Sequence, residues 1–126
     1  MAIHGFAAGS IVEYVPEFGR NRESGSPCVV KLKYVPFVKT QEYARIIAAR
    51  SQYAGDKSRG IEISQEVQKK QFHENVLSVS GFTVSGKEIT TSEELWENAS
   101  AGLIYELVSA MEDSTRLRAG LREEPK

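Results

Sequence analysis

Two segments near the start of the chain alternate apolar and polar residues, and a charged stretch rich in glycine, arginine and serine separates them. In the first segment, 11–15, Val12 and Tyr14 are predicted to face away from the other three residues. The second segment, 29–35, alternates in the same way. A period of two is typical of strands, so 11–35 is predicted to form a β-hairpin with a long, charged tip.

The pattern takes a helical period after this hairpin. Pro36 is expected to close the second strand, because proline cannot donate a hydrogen bond to a strand ladder. Thr40 is a candidate N-cap, and the apolar spacing after it predicts a helix over 41–53. The segment 55–60, with a glycine at each end, is then expected to end that helix as a mobile surface loop.

A second helix is predicted over 65–75. Ser64 is its candidate N-cap, and Val67 and Phe72 are its expected core residues. The lysines and the glutamate on its other side are expected to face solvent.

The segment 76–90 favours extended structure. Ser85 and Gly86 form a turn signal between two β-leaning stretches, which predicts a second short hairpin near 82–90. An extended connector is the alternative interpretation, because the flanking stretches are brief.

A capping box marks the start of the next helix. The Thr91 hydroxyl is predicted to accept from the Glu94 amide, while the Glu94 carboxylate bonds the Thr91 amide in return. The helix should therefore begin at Ser92, place Leu95 and Trp96 on its buried side, and pause before the last helix.

The last helix carries the strongest periodic pattern of the chain. Its apolar stripe predicts burial in the core, where each side chain contributes about 1.5–3 kcal/mol. The alternative is that part of the stripe forms a partner-binding groove or an oligomer interface. The charged residues 116–126 are predicted to be a flexible tail, which leaves 1–115 as a single globular domain. The stripe consists of Leu103, Ile104, Leu107, Val108 and Met111.

Together these elements predict an α+β fold in which the N-terminal β-hairpin packs on about four α-helices. The 126 residues suit one domain. Sixteen lysines and arginines against seventeen acidic residues leave a formal charge of −1, which disfavours nucleic acid and acidic membranes as partners. Without a segment of membrane-spanning length or a signal-peptide pattern, a cytoplasmic protein is expected.

A minority interpretation concerns four basic residues. Arg20 and Arg22 at the hairpin tip, with Lys57 and Arg59, would form a phosphate-binding patch if the fold brought them together. Ordinary solvated loop charges explain the same residues. A small nucleic-acid-binding regulator is therefore kept only as an alternative function.

No cluster of residues predicts catalysis, a cofactor or a metal site, so the chain is expected not to be an enzyme. Cys28 is the only cysteine, and its place beside two valines predicts a buried small hydrophobe rather than a reactive thiol. His4 and His73 lie far apart, and neither has the spacing of metal ligands. Pairing His73 with Cys28 or Glu74 as nucleophile and base needs a proximity that the sequence does not indicate.

Three motifs resemble small tail-assembly-chaperone-type proteins of tailed phages and prophages. They are YVPEFG at 14–19, NRE at 21–23 and FHENVLSVSGFTVSGKEITTSEEL at 72–95. The resemblance implies a protein that binds an aggregation-prone tape-measure protein during tail assembly and helps to recruit tail-tube subunits, without catalysis. The segment 55–60 and the residues before Ile11 depart from the family pattern.

Under this hypothesis, an exposed apolar surface shields hydrophobic helices of the partner. A structural tail or head-completion subunit that stays in the particle is the competing hypothesis, and self-association would use the same apolar stripe. The candidate partner-binding residues are Phe18, Tyr34, Phe37, Leu103, Leu107 and Met111.

Overall fold

The computed structural model describes Ile3, residues 5–52 and residues 55–122. Over these residues it confirms the predicted α+β class, with a three-stranded sheet, a separate two-stranded hairpin, five α-helices and one 3-10 segment. In chain order the elements are β1 (Ile11–Tyr14), the 3-10 segment (Phe18–Glu23), β2 (Val29–Lys33), α1 (Phe37–Ser51), α2 (Lys57–Asn75), β3 (Val76–Ser80), β4 (Phe82–Val84), β5 (Lys87–Ile89), α3 (Ser92–Asn98), α4 (Ala101–Glu112) and α5 (Ser114–Ala119).

The N-terminal hairpin is confirmed, and a third strand extends it. Strand β2 is central and pairs antiparallel with both β1 and β3. Val30 lies opposite Tyr14 on one side and Val79 on the other, and all three side chains are buried. The sequence pattern did not predict β3 as a partner of this sheet, because its short run offers only two buried valines and its pairing is interrupted by an irregularity in β2 between Lys31 and Leu32.

The second short hairpin is also confirmed. Strands β4 and β5 pair antiparallel around Ser85 and Gly86, whose φ angles are 51° and 80°. Positive φ at both central residues is the geometry that two-residue hairpin turns favour, because its twist matches that of the strands. The alternative of an extended connector is therefore wrong.

Helix α1 begins earlier than predicted. Pro36 occupies the N-cap position with extended backbone, and the helix starts at Phe37. Thr40 is not the N-cap: its hydroxyl donates to the Phe37 carbonyl oxygen at 2.7 Å within the first turn. The helix ends at Ser51. The predicted end, Tyr53, lies outside the described residues.

The predicted loop at 55–60 is wrong for most of its length, because helix α2 begins at Lys57. Asp56 is the N-cap, since its Oδ1 accepts from the Arg59 amide at 2.8 Å, and the helix runs from Lys57 through Gly60 to Asn75. An N-cap carboxylate accepts a hydrogen bond from a free amide and interacts favourably with the positive end of the helix dipole. Together these two effects outweigh the modest cost of one glycine inside the helix. Ser64 is therefore an interior helical residue and not an N-cap. The predicted end at Asn75 is confirmed, as is the burial of Val67 and Phe72.

The capping box of α3 is confirmed in its main contact. The Glu94 amide donates to Thr91 Oγ1 at 3.2 Å, and the helix starts at Ser92. The Glu94 carboxylate accepts from the Thr91 hydroxyl at 3.1 Å, whereas the sequence predicted a bond to the Thr91 amide. Leu95 is fully buried, and Trp96 is half-buried.

The predicted flexible tail is wrong for residues 116–122. Leu117 of α5 is fully buried, and the Arg122 amide donates to the Glu13 carbonyl oxygen at 2.9 Å along the edge of β1. A Cβ placed on Gly120 would lie 2.1 Å from Tyr14 Cε1, so the chain passes directly over this ring. These residues belong to the globular domain, which therefore does not end at residue 115. Residues 123–126 lie outside the described part of the chain.

One hydrophobic core draws on the sheet, on β5 and on all five helices. The burial of Leu103, Leu107 and Met111 in this core confirms that this part of the α4 stripe is core. The largest fully buried side chains include Tyr14, Leu32, Phe72, Leu95, Leu107, Met111 and Leu117.

Candidate protein-binding groove

Helix α4 divides its apolar stripe between the core and the surface. Leu103, Leu107 and Met111 are at most 4% exposed. Ile104 and Val108 pack against the core but are only half-buried. Because successive helical residues differ in direction by about 100°, a stripe that contains both i and i+1 positions is wider than one packed face.

The prediction is therefore wrong for three of the partner-binding residues, because they do not lie on the surface. The stripe pattern does not separate a side chain that faces the core from one that faces a partner. Burial assigns Leu103, Leu107 and Met111 to the core, so they do not form an exposed docking surface.

The other three candidates lie on different elements. Phe18 is 44% exposed and lies against α4, where a Cβ on Gly102 would be 2.7 Å from its ring. Phe37 is 74% exposed at the start of α1. Tyr34 is half-buried and its ring packs against Phe6 with 5.8 Å between centroids. Of these three, the structure brings Phe18 to the outer surface of α4.

An open groove of about 840 Å³ lies between α2 and α4. We call it the α2–α4 groove. Its apolar side is provided by α4 and the end of α3, and its polar side comes mainly from α2. The apolar side consists of Trp96, Ala99, Ala101, Ile104, Tyr105 and Val108. The polar side includes Glu62, Gln65, Glu66, Lys69, Gln71 and Glu112.

Two contacts hold the groove in shape. The Trp96 ring packs on the buried Phe72 ring with 5.1 Å between centroids. Gln71, which is 7% exposed, donates from Nε2 to Glu112 Oε1 at 2.5 Å and so joins α2 to α4. These contacts tie α2 to α3 and to α4, so the groove is part of the folded domain.

Tyr105 is the most exposed aromatic residue of this surface, at 69%. It borders the α2–α4 groove on one side and, on the other, a shallower depression that Phe18 and Gly102 also line. Tyrosine and tryptophan are enriched at the centres of protein interfaces, because they bury a large area at low conformational cost. Tyr105, Trp96 and Phe18 thus give this face the composition of a protein-binding surface.

Two carboxylates on the polar side of the groove form ion pairs with arginines. Glu66 accepts from Arg50 of α1 at 2.6 Å and lies 3.5 Å from Arg59. The Arg50 hydrogen bond is the main cause that lowers the pKa of Glu66. Glu62 pairs with Arg59 at 2.9 Å.

Three of the four basic residues of the predicted phosphate patch, Arg20, Arg22 and Arg59, have protein partners. Arg20 pairs with Glu23 at 2.6 Å. Arg22 donates to the Val15 carbonyl oxygen at 2.8 Å, while Arg59 pairs with α2 carboxylates. The ion pairs of Arg20 and Arg22 lie within the hairpin tip and those of Arg59 within α2, so among the described residues no ion pair joins the two groups into one phosphate patch.

Cys28 and His73 occupy unrelated settings. Cys28 is 8% exposed, and burial raises the pKa of its thiol to about 11, which keeps it protonated at neutral pH. The His73 Nδ1 lies 2.9 Å from Ser92 Oγ, and Glu74 accepts from the Tyr43 hydroxyl. Within the described part of the chain, no group of three His, Cys, Asp or Glu residues is placed to hold a metal ion. His4 lies outside the described residues.

Sequence reasoning missed Tyr105 and the groove that it borders. The width of the α4 stripe was the available signal, since Ile104 and Val108 extend it beyond one face. The polar wall carried no signal of its own, because charged residues on α2 are equally expected on a solvated helix surface.

Comparison of the chain with protein-family models, with curated proteins and with solved structures found no match. The resemblance to phage tail assembly chaperones therefore stays a prediction. Among the described residues, no helix combines the length and the apolar character needed to cross a membrane.

Proposed function

We propose that this protein is a non-enzymatic tail assembly protein of a phage or prophage. In this proposal it acts in the host cytoplasm as a chaperone that binds the tape-measure protein through an apolar surface. The observation that carries the proposal is the α2–α4 groove, with half-buried and exposed apolar side chains on one wall and the Trp96–Phe72 and Gln71–Glu112 contacts beside it.

The dimensions of the groove suit a helix as its occupant. Its lining residues on α2, 62–71, span about 14 Å of helix axis, and those on α4, 101–112, span about 16 Å. An amphipathic helix of about three turns fits this length and would place residues i, i+3, i+4 and i+7 against the apolar wall. Covering Ile104, Tyr105 and Val108 would remove apolar surface from water without unfolding the domain.

The proposal is tested by co-expression with the tape-measure protein of the phage or prophage that encodes the chain, followed by affinity capture. We expect stoichiometric recovery of the tape-measure protein and its loss with Tyr105→Glu. Ile61→Glu is the matched control, because Ile61 is also exposed, at 61%, on a helix but does not line the groove.

Failure of the wild-type chain to retain the tape-measure protein would overturn the chaperone proposal. Recovery of the chain in purified particles would instead indicate a structural tail or head-completion subunit. If Phe37→Glu abolished capture and Tyr105→Glu did not, the partner would bind at the start of α1 and not in the groove.

A further inference from the structure

We propose further that the α2–α4 groove selects a helix whose apolar stripe is flanked by lysine or arginine residues. This inference rests on the proposed function, because it concerns the partner of the same groove. It follows from the charges that line the groove, which are three carboxylates and one ammonium group: Glu62, Glu66, Glu112 and Lys69.

Two of the acidic groups lie along one face of α2. Glu62 and Glu66 are four residues apart on α2, so they occupy one face about 6 Å apart along the axis. Their side chains are 60% and 49% exposed, which leaves them accessible to a partner. Glu112 adds a third carboxylate at the C-terminal end of α4.

Two arginines offset part of this negative charge. Arg50 bonds Glu66, and Arg59 contacts both Glu62 and Glu66, but neither arginine lines the groove. A carboxylate accepts several hydrogen bonds at once, so each glutamate can receive a further cationic donor.

The two walls together define the partner. Its apolar side chains would cover Ile104, Tyr105 and Val108, while lysine or arginine residues at i and i+4 would reach Glu62 and Glu66. Long basic side chains suit this position because their methylene groups pack along apolar surface while their charged ends remain near the carboxylates. A helix with acidic flanks would place like charges together and bind less well.

The test uses two synthetic peptides of about 14 residues with the same apolar stripe, no tryptophan, and either lysine or glutamate at the flanking positions. Trp96 is the only tryptophan of the chain and lines the groove, so its fluorescence reports binding. We expect the lysine peptide to bind roughly tenfold or more tightly than the glutamate peptide at low salt, with the difference shrinking as salt is added.

Glu62→Lys should reduce or reverse this preference. Glu42→Lys is its matched control, because Glu42 pairs with Lys39 as Glu62 pairs with Arg59, three residues apart on an exposed helix face. Glu42 does not line the groove. Tyr105→Ala tests the apolar wall, because it removes the aromatic ring without adding a charge.

Equal binding of both peptides, lost in Tyr105→Ala, would overturn the charge selection and leave helix binding in place. Binding of the lysine peptide that is unchanged in Glu62→Lys would overturn the assignment of the acidic wall. If neither peptide bound, this inference would be wrong, and tape-measure capture would decide the proposed function separately.

Discussion

The Tyr14 hydroxyl donates a 2.7 Å hydrogen bond to Glu106 Oε2, which joins the first strand to α4 across 92 positions of sequence. The same carboxylate accepts from the amides of Glu17 and Phe18 at 2.8 and 2.9 Å. Three donors therefore converge on one side chain. Through it the hairpin tip is held against α4, and Phe18 is placed beside Gly102.

Glu106→Gln should lower the free energy of unfolding by about 1–3 kcal/mol, because a neutral amide cannot accept all three bonds as the carboxylate does. Chemical denaturation measures the change. Glu97→Gln, at an exposed position of α3, is the control and should stay within about 0.5 kcal/mol of wild type. Equal stability of the Glu106 variant would show that the tip is not held by this carboxylate.

Met111→Gln should lower the free energy of unfolding by about 2–4 kcal/mol, because it places an amide in a fully buried apolar site. Thermal and denaturant unfolding both report the loss. Tyr105→Ala, on the exposed face of the same helix, should change stability by less than about 1 kcal/mol. A Met111 variant with an unchanged melting temperature would return this residue to the candidate docking surface.

Asp56→Ala should cost about 1 kcal/mol, because it removes the N-cap of α2. Ser64→Ala is the matched comparison and should be neutral or slightly stabilising, since alanine is the better residue inside a helix. Equilibrium unfolding of the two variants distinguishes a helix that starts at Lys57 from one that starts after Ser64. The opposite order of effects would restore the predicted loop at 55–60.

The raised pKa of the buried Cys28 thiol should make the free energy of unfolding depend on pH. Burial raises the pKa of its thiol from 9.0 to about 11 in the folded chain. Below pH 9.0 the thiol is protonated in both the folded and the unfolded chain. Between pH 9.0 and about 11 it loses its proton only in the unfolded chain. The free energy of unfolding should therefore fall as pH rises through this window, by about 1 kcal/mol between about pH 8 and about pH 10.

The comparison with Cys28→Ala isolates this contribution. The buried tyrosines also resist deprotonation, but they are present in both proteins, so their effect cancels in the difference. We expect the stability difference between wild type and variant to depend on pH in this alkaline window and to be constant near neutrality. A difference that does not change with pH would contradict the buried, protonated thiol.

Local signals predicted the elements that short-range chemistry determines. The turn at Ser85 and Gly86 needs two residues that tolerate positive φ, and the start of α3 needs a hydroxyl three residues before Glu94. The same kind of signal is present at Asp56, but the loop prediction rests on the glycines at 55 and 60 and does not consider Asp56 as an N-cap. That error concerns the balance between two local effects and required no tertiary information to avoid.

The α+β class, the two hairpins and the amphipathic helix α4 are predictable from the sequence, because each depends on residues a few positions apart. Which part of the α4 stripe is core and which part borders a groove depends instead on tertiary packing. The tertiary structure also places β3 beside the first hairpin, Leu117 in the core and Gly120 against the Tyr14 ring. These contacts join residues far apart in the chain, so they depend on which elements meet, and hydrophobic periodicity carries no information about the partner of an apolar face.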